Sequence, residues 1–182
     1  MLAGPKLRLL SLAIATAFAA AECLAFQGSI SPEVKQRYAQ ARRLLALGEK
    51  EKALEELKSI IQLAPEFVEA QRDYLDNQRD KAASFIEPYE GYVKQNPASA
   101  VYRYLLGKVY SSNNKREQSD AEFKKALELD PSFGWASFAM STVTARTGDN
   151  ARTLQLLEDA SKHAGASVAL RSALASTFLN RK

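Results

Sequence analysis

The sequence predicts an all-α fold built from stacked helix pairs, and three observations carry that reading. Apolar residues recur at helical intervals, as in Tyr102, Leu106, Val109 and Tyr110, which share one face. Turn and helix-breaking residues separate the periodic stretches: Gly48, Pro65, Pro97, Asn113-Asn114, Pro131 and Gly148. No stretch sustains two-residue alternation or hairpin turn chemistry, so no sheet is expected. With 46% hydrophobic and 25% charged residues over 182 positions, the chain has the composition of a globular domain of ordinary size.

The elements follow in chain order. In residues 1–25, Lys6 and Arg8 precede an apolar run from Leu9 to Ala21, too short for an ordinary membrane span. Small residues follow, and Cys23-Leu24-Ala25 fits a small-x-small cleavage site, so 1–25 reads as an export signal cleaved after Ala25. Cleavage after Ala21, an uncleaved anchor and acylation of Cys23 are the alternatives; Glu22 opposes the last, because it stands where a small residue is needed. Residues 26–31 form a short tether. Ser31-Pro32-Glu33 is a helix start, and a helix is expected from about Pro32 to Ala46. A second runs from about Glu51 to Leu63, its inner side made by Ala53, Leu54, Leu57, Ile60 and Ile61.

Residues 68–99 are less regular. Phe85, Tyr89 and Tyr92 mark a second helix in which Pro88 is expected to introduce a kink, and Gly91 weakens it further. An irregular seam is expected here. Within 100–131, Gly107 sits mid-helix at a cost of about 1 kcal/mol against Ala, which implies close passage of a second helix. That second helix carries Phe123, Ala126, Leu127 and Leu129, and Pro131 ends the unit. The next pair has Ala136, Met140 and Val143 on its first helix, a turn with its own helix cap at Gly148-Asp149-Asn150, and Leu154, Leu157 and Ala160 on its second. Val168 to Leu179 reads as a last amphipathic helix covering the end of the stack.

Leu106-Gly107, Tyr110, Phe123, Ala126 and Pro131 reproduce most of a tetratricopeptide signature, so this stretch resembles one repeat of that family, a helix–turn–helix unit of about 34 residues. Arg103 stands where the family has an early Trp, and Ser119 where it has a small Ala. Ala41, Gly48, Ala53, Leu57 and Pro65 fall at matching places in an earlier unit, whereas Leu75 and Phe85 replace small residues in 68–99. The resemblance implies a right-handed superhelical α-solenoid of about four repeats, near 34–67, 68–99, 100–133 and 134–167, with a capping helix at 168–179, all within a domain spanning 32–182.

Catalytic chemistry finds little support. The chain holds one Cys, inside the predicted signal, and one His. His163 follows Lys162 at a helix end, where a solvated imidazole is favoured by the helix dipole. There is no HExxH, Walker loop or GxGxxG pattern. Glu55 and Glu56 are adjacent on a helix and point apart. No enzyme activity, cofactor or metal is expected. The formal charge of +4 is spread among acids without a basic run, which argues against nucleic acid. No membrane span is expected once the signal is removed.

What remains is surface. In the family that the chain resembles, the first helix of each repeat lines a concave groove holding a peptide or a partner's helix. Carried onto this sequence, the groove candidates are Lys35, Tyr38 and Arg42, then Arg72 with Asp76, then Tyr104 and Lys108, then Trp135, Phe138 and Thr142. Aromatic anchors beside cations suit an acidic or amphipathic segment. The competing reading packs the same aromatics between helices as core. The family's clamp for a C-terminal carboxylate lacks its motif, since Tyr38, Arg42 and Asp73 stand where a Lys and two Asn are needed. The resemblance implies an exported, periplasmic or secreted adaptor that binds other proteins. The alternative is an accessory module or assembly factor of an envelope enzyme or secretion complex, possibly anchored in a membrane.

Overall fold

A computed structural model describes residues 30–163. The expected signal at 1–25, most of the tether and the capping helix at 168–179 lie outside the described residues. Helix α1 spans Pro32–Ala46, α2 Lys50–Leu63 and α3 Val68–Asp76. A 3₁₀ segment follows over Arg79–Phe85, then α4 over Ile86–Gln95. The chain continues through α5 (Ala100–Ser112), α6 (Arg116–Leu129), α7 (Gly134–Thr147) and α8 (Asn150–His163). No strand occurs among the described residues.

Local chemistry sets these boundaries. The Ser31 hydroxyl accepts from the Val34 N–H at 3.2 Å, and Pro32 occupies the first turn of α1, where its missing N–H is not needed. Ser99 caps α5 in the same way through the Tyr102 N–H. Gly48 and Gly148 close α1 and α7 in the left-handed region, at φ +79° and +81°, which other residues adopt only with strain. Asp149 accepts from the Arg152 N–H at the start of α8.

Within each regular unit two helices pack antiparallel through small residues. Ala41 and Ala53 are fully buried between α1 and α2, beside Leu57 and Ile60. Gly107 supplies the closest approach. A Cβ built there would lie 2.6 Å from Phe123 Cδ1 and 3.2 Å from the Ser119 carbonyl oxygen. The helix-breaking cost read from the sequence thus has its packing reason. Arg103, standing in place of the family's Trp, pairs with Glu122 at 3.0 Å and ties α5 to α6 by charge.

The unit between Val68 and Ser99 departs from this scheme. Its first helix stops at Asp76 after nine residues, and the 3₁₀ segment replaces the turn. The expected kink at Pro88 gives way to a break upstream of it. Helix α4 starts at Ile86, so Pro88 falls in its first turn, where no intrahelical donor is lost. Phe85 closes the 3₁₀ segment and does not enter α4. The hydroxyl of buried Tyr89 donates to Gln71 Oε1 and bridges α4 to α3.

The core falls into three clusters of different size. A large cluster centred on Tyr102, Leu105, Leu106 and Val109 joins α3 to α7. A smaller one joins α1, α2 and the start of α3 through Val34, Leu57, Ile60, Phe67 and Ala70. Leu157 and Ala160 pack with Phe138 at the other end.

Candidate binding groove

The first helices of successive units, α1, α3, α5 and α7, carry all the groove candidates read from the sequence. On α1, Lys35 is exposed, as is Arg42, which lies 3.9 Å from Asp73 on α3. Tyr38 is half-buried. Its ring stands edge-on to Phe67 with centroids 4.9 Å apart, and its hydroxyl donates to Asp73 Oδ2 at 2.7 Å. Burial raises the Tyr38 phenol well above its usual range, and the Asp73 carboxylate adds to the effect.

On α3, Asp76 accepts from Lys108 Nζ of α5 at 2.7 Å and lies 3.8 Å from Arg79 in the 3₁₀ segment. Burial lowers the Lys108 pKa, and the bond to Asp76 opposes that shift. Arg72, one turn earlier, reaches across α5 and lays its guanidinium carbon 3.6 Å from the centroid of the Trp135 ring on α7. These two residues belong to units that are not neighbours in sequence, so the contact links α3 directly to α7. The Arg72 Nε is buried and has no hydrogen-bond partner among the described residues. A stacked cation on Trp contributes about 0.5–2 kcal/mol, and a buried unsatisfied donor costs about 1–3 kcal/mol. The two effects oppose each other.

Tyr104 is corrected by the structure. It is only 4% exposed, with its ring packed against Phe123 and Phe133, so it belongs to the core and forms a floor to the groove, not a projecting anchor. The physical reason is that Phe123 of α6 and Phe133 in the turn before α7 cover its ring. Burial raises its phenol, with Arg72 opposing. Phe138 is half-buried and shares its contacts between the groove and the Leu157–Ala160 cluster. Trp135 is half-buried against the central core. Thr142 is exposed, but its hydroxyl donates to the Ala139 carbonyl at 2.7 Å.

Arg72, Tyr104, Lys108, Phe138 and Thr142 converge on one cavity of about 440 Å³, together with Asp76 and Arg79. Trp135 adjoins it through Arg72. Lys35, Tyr38 and Arg42 lie apart from it on α1. Three cations around this cavity face one carboxylate. Arg79 escapes the sequence reading because the 3₁₀ segment, not a first helix, delivers it; its i, i+3 spacing to Asp76 is the available signal. Among the described residues no group of three or more His, Cys, Asp or Glu is placed to hold a metal, and no helix is long and apolar enough to cross a membrane.

Comparisons with known proteins agree with this architecture. Residues 100–133 match the family model for the tetratricopeptide repeat. No curated protein matches the chain. Among solved structures, a thermophilic tetratricopeptide-repeat protein of Thermus thermophilus is similar over 95% of both chains, with 21% identity and a TM-score of 0.56. The APC/C hetero-tetramer Cut9-Hcn1 is similar over 71% of this chain and 25% of its own, with 17% identity and a TM-score of 0.58. Residues 100–133 thus match one tetratricopeptide repeat, and the solved structures share the stacked-helix fold of the chain.

Proposed function

We propose that this protein is an exported adaptor that holds a segment of another protein against the concave side formed by α1, α3, α5 and α7. The observation that carries the reading is the line of cations and rings along those four helices, from Arg42 and Tyr38 to Lys108, Arg72 and Trp135. Tetratricopeptide repeats are generally protein-interaction scaffolds. An acidic or amphipathic segment suits the surplus of positive charge, and no enzyme activity or cofactor is invoked. The location, periplasmic or secreted, rests on the sequence of residues 1–25 alone. Sequencing the N-terminus of protein recovered from the envelope and the medium checks it, and Phe26 is the expected first residue.

Partner capture tests the binding reading. Lys35 and Arg42 are both exposed, and Lys35→Glu with Arg42→Gln, which sets no new carboxylate against Asp73, should leave the helical signal and melting temperature nearly unchanged. Crosslinking in the native envelope, followed by mass spectrometry, should then recover markedly less partner than wild type. Equal recovery would place the binding surface elsewhere. A single partner recovered at constant ratio would favour the accessory-module alternative, and several substoichiometric partners the adaptor.

A further inference from the structure

Resting on the binding reading above, we infer that Arg72 is a gate residue: a carboxylate side chain of an extended partner segment enters the cavity between α3, α5 and α7 by drawing Arg72 off Trp135. Three features of the cavity point to this occupant. First, Arg72, Arg79 and Lys108 line it against the single carboxylate of Asp76, so a second carboxylate offsets part of the remaining positive charge. Second, the closed position leaves the Arg72 Nε buried without an acceptor, a deficit that a bidentate carboxylate removes. Third, the space of about 440 Å³ holds one or two side chains and not a helix, while Phe138 and Ala139 offer apolar contact beside the charge.

Asp76 acts within the chain as a competitor. It already holds Lys108 at 2.7 Å and sits 3.8 Å from Arg79. Burial also disfavours the Lys108 cation, so a further carboxylate nearby is favourable for that group too. Asp76 and an incoming carboxylate therefore draw on the same donors, and removing one should strengthen the other.

The chain contains a single Trp, so the emission of Trp135 reports the gate directly. The probes are three pools of blocked, Trp-free, dye-labelled hexapeptides with Glu, Gln or Lys fixed at one central position and the rest randomised. They are titrated against the full-length chain, with anisotropy reporting binding and Trp emission reporting the gate. The Glu pool should bind about tenfold more tightly than the Gln pool, the size of one charge-assisted hydrogen bond, and should change Trp135 emission. Arg72→Gln should abolish the Glu preference, Arg72→Lys should retain part of it, and Asp76→Asn should tighten the Glu pool, with folding checked by helical signal in each. Opposite effects at Arg72 and Asp76 are not produced by a merely structural role. Equal binding of Glu and Gln pools, preference for the Lys pool, binding without a change in emission, or binding of none would each overturn the inference. The adaptor reading would survive any of these if native partner capture still depended on Lys35 and Arg42.

Discussion

At the scale of single residues, Gly107 shows how a local cost and a tertiary gain meet. Replacing it with Ala gains about 1 kcal/mol of helix propensity but forces a Cβ into the Phe123 ring, and overpacking typically costs about 1–3 kcal/mol. The ring edge cannot swing aside as a flexible chain end would, and the Ser119 carbonyl backs it. Gly107→Ala should therefore destabilise the protein by a net of about 1 kcal/mol in urea unfolding. Adding Phe123→Leu should show positive coupling, because the clash goes with the ring. The buried tyrosines give a second prediction. Tyr38, Tyr89, Tyr104 and Tyr110 all have phenols raised above the ordinary 10.0, chiefly by burial, with Tyr110 at about 12. Below pH 10 they are protonated folded or unfolded, and stability does not depend on them. Above it the unfolded state ionises first, so stability should fall as pH rises from 10 toward 12. Phenolate absorbance and helical signal should change together. Phenolate appearing well before helix loss would show the rings to be accessible.

At the scale of elements, legibility followed how far an element's boundary is decided by its own residues. Ser31-Pro32, Gly48, Ser99 and Gly148 specify caps by chemistry that acts within one turn, and the helices they bound lie where the sequence puts them. The seam at 68–99 was legible as irregular but not in its form. Asn77 closes α3 locally, its side-chain amide donating to the Asp73 carbonyl at 2.8 Å, but the 3₁₀ segment that follows packs on α3, α4 and α5 at once, and that is a tertiary decision. The same limit hid part of the groove. First-helix residues could be placed on a common side, but Tyr104 became floor because Phe123 and Phe133 cover its ring, and the Arg72–Trp135 contact joins residues sixty-three positions apart. Pro88 tests the revised boundary. Relieving a Pro in a helix interior would stabilise by about 3 kcal/mol, whereas one in the first turn lacks a donor that has no intrahelical partner. Pro88→Ala should accordingly change stability by less than about 1 kcal/mol in denaturant unfolding. A gain near the interior value would mean that the helix begins upstream of Ile86.

At the scale of the whole molecule, stacked units hold together only through their neighbours, so cooperativity is limited by the weakest interface. Here that interface is α3. Its Ala70 packs into the cluster of α1 and α2, and its Val68 and Leu75 pack into the central cluster with Tyr89 and Tyr102. Gln71 and Tyr74 add to this connection, Gln71 donating to the Pro65 carbonyl and accepting from Tyr89, and Tyr74 packing edge-on to Phe85. But α3 has only nine residues and is separated from α4 by the 3₁₀ segment. The Tyr38–Asp73 and Lys108–Asp76 bonds reinforce it from the groove side, so the residues that shape the groove also brace the seam. Leu75 is the position where the two roles separate, since it is 7% exposed and belongs to the core side of α3. Leu75→Ala should cost about 2–5 kcal/mol by leaving a cavity. More tellingly, it should split unfolding. Amide exchange in α1 and α2 should accelerate more than in α5 and α6, and urea transitions followed by Trp135 emission and by helical signal should cease to coincide. A single coincident transition at lower urea would show that the two clusters unfold as one body, and that the bonds on the groove side suffice to couple them.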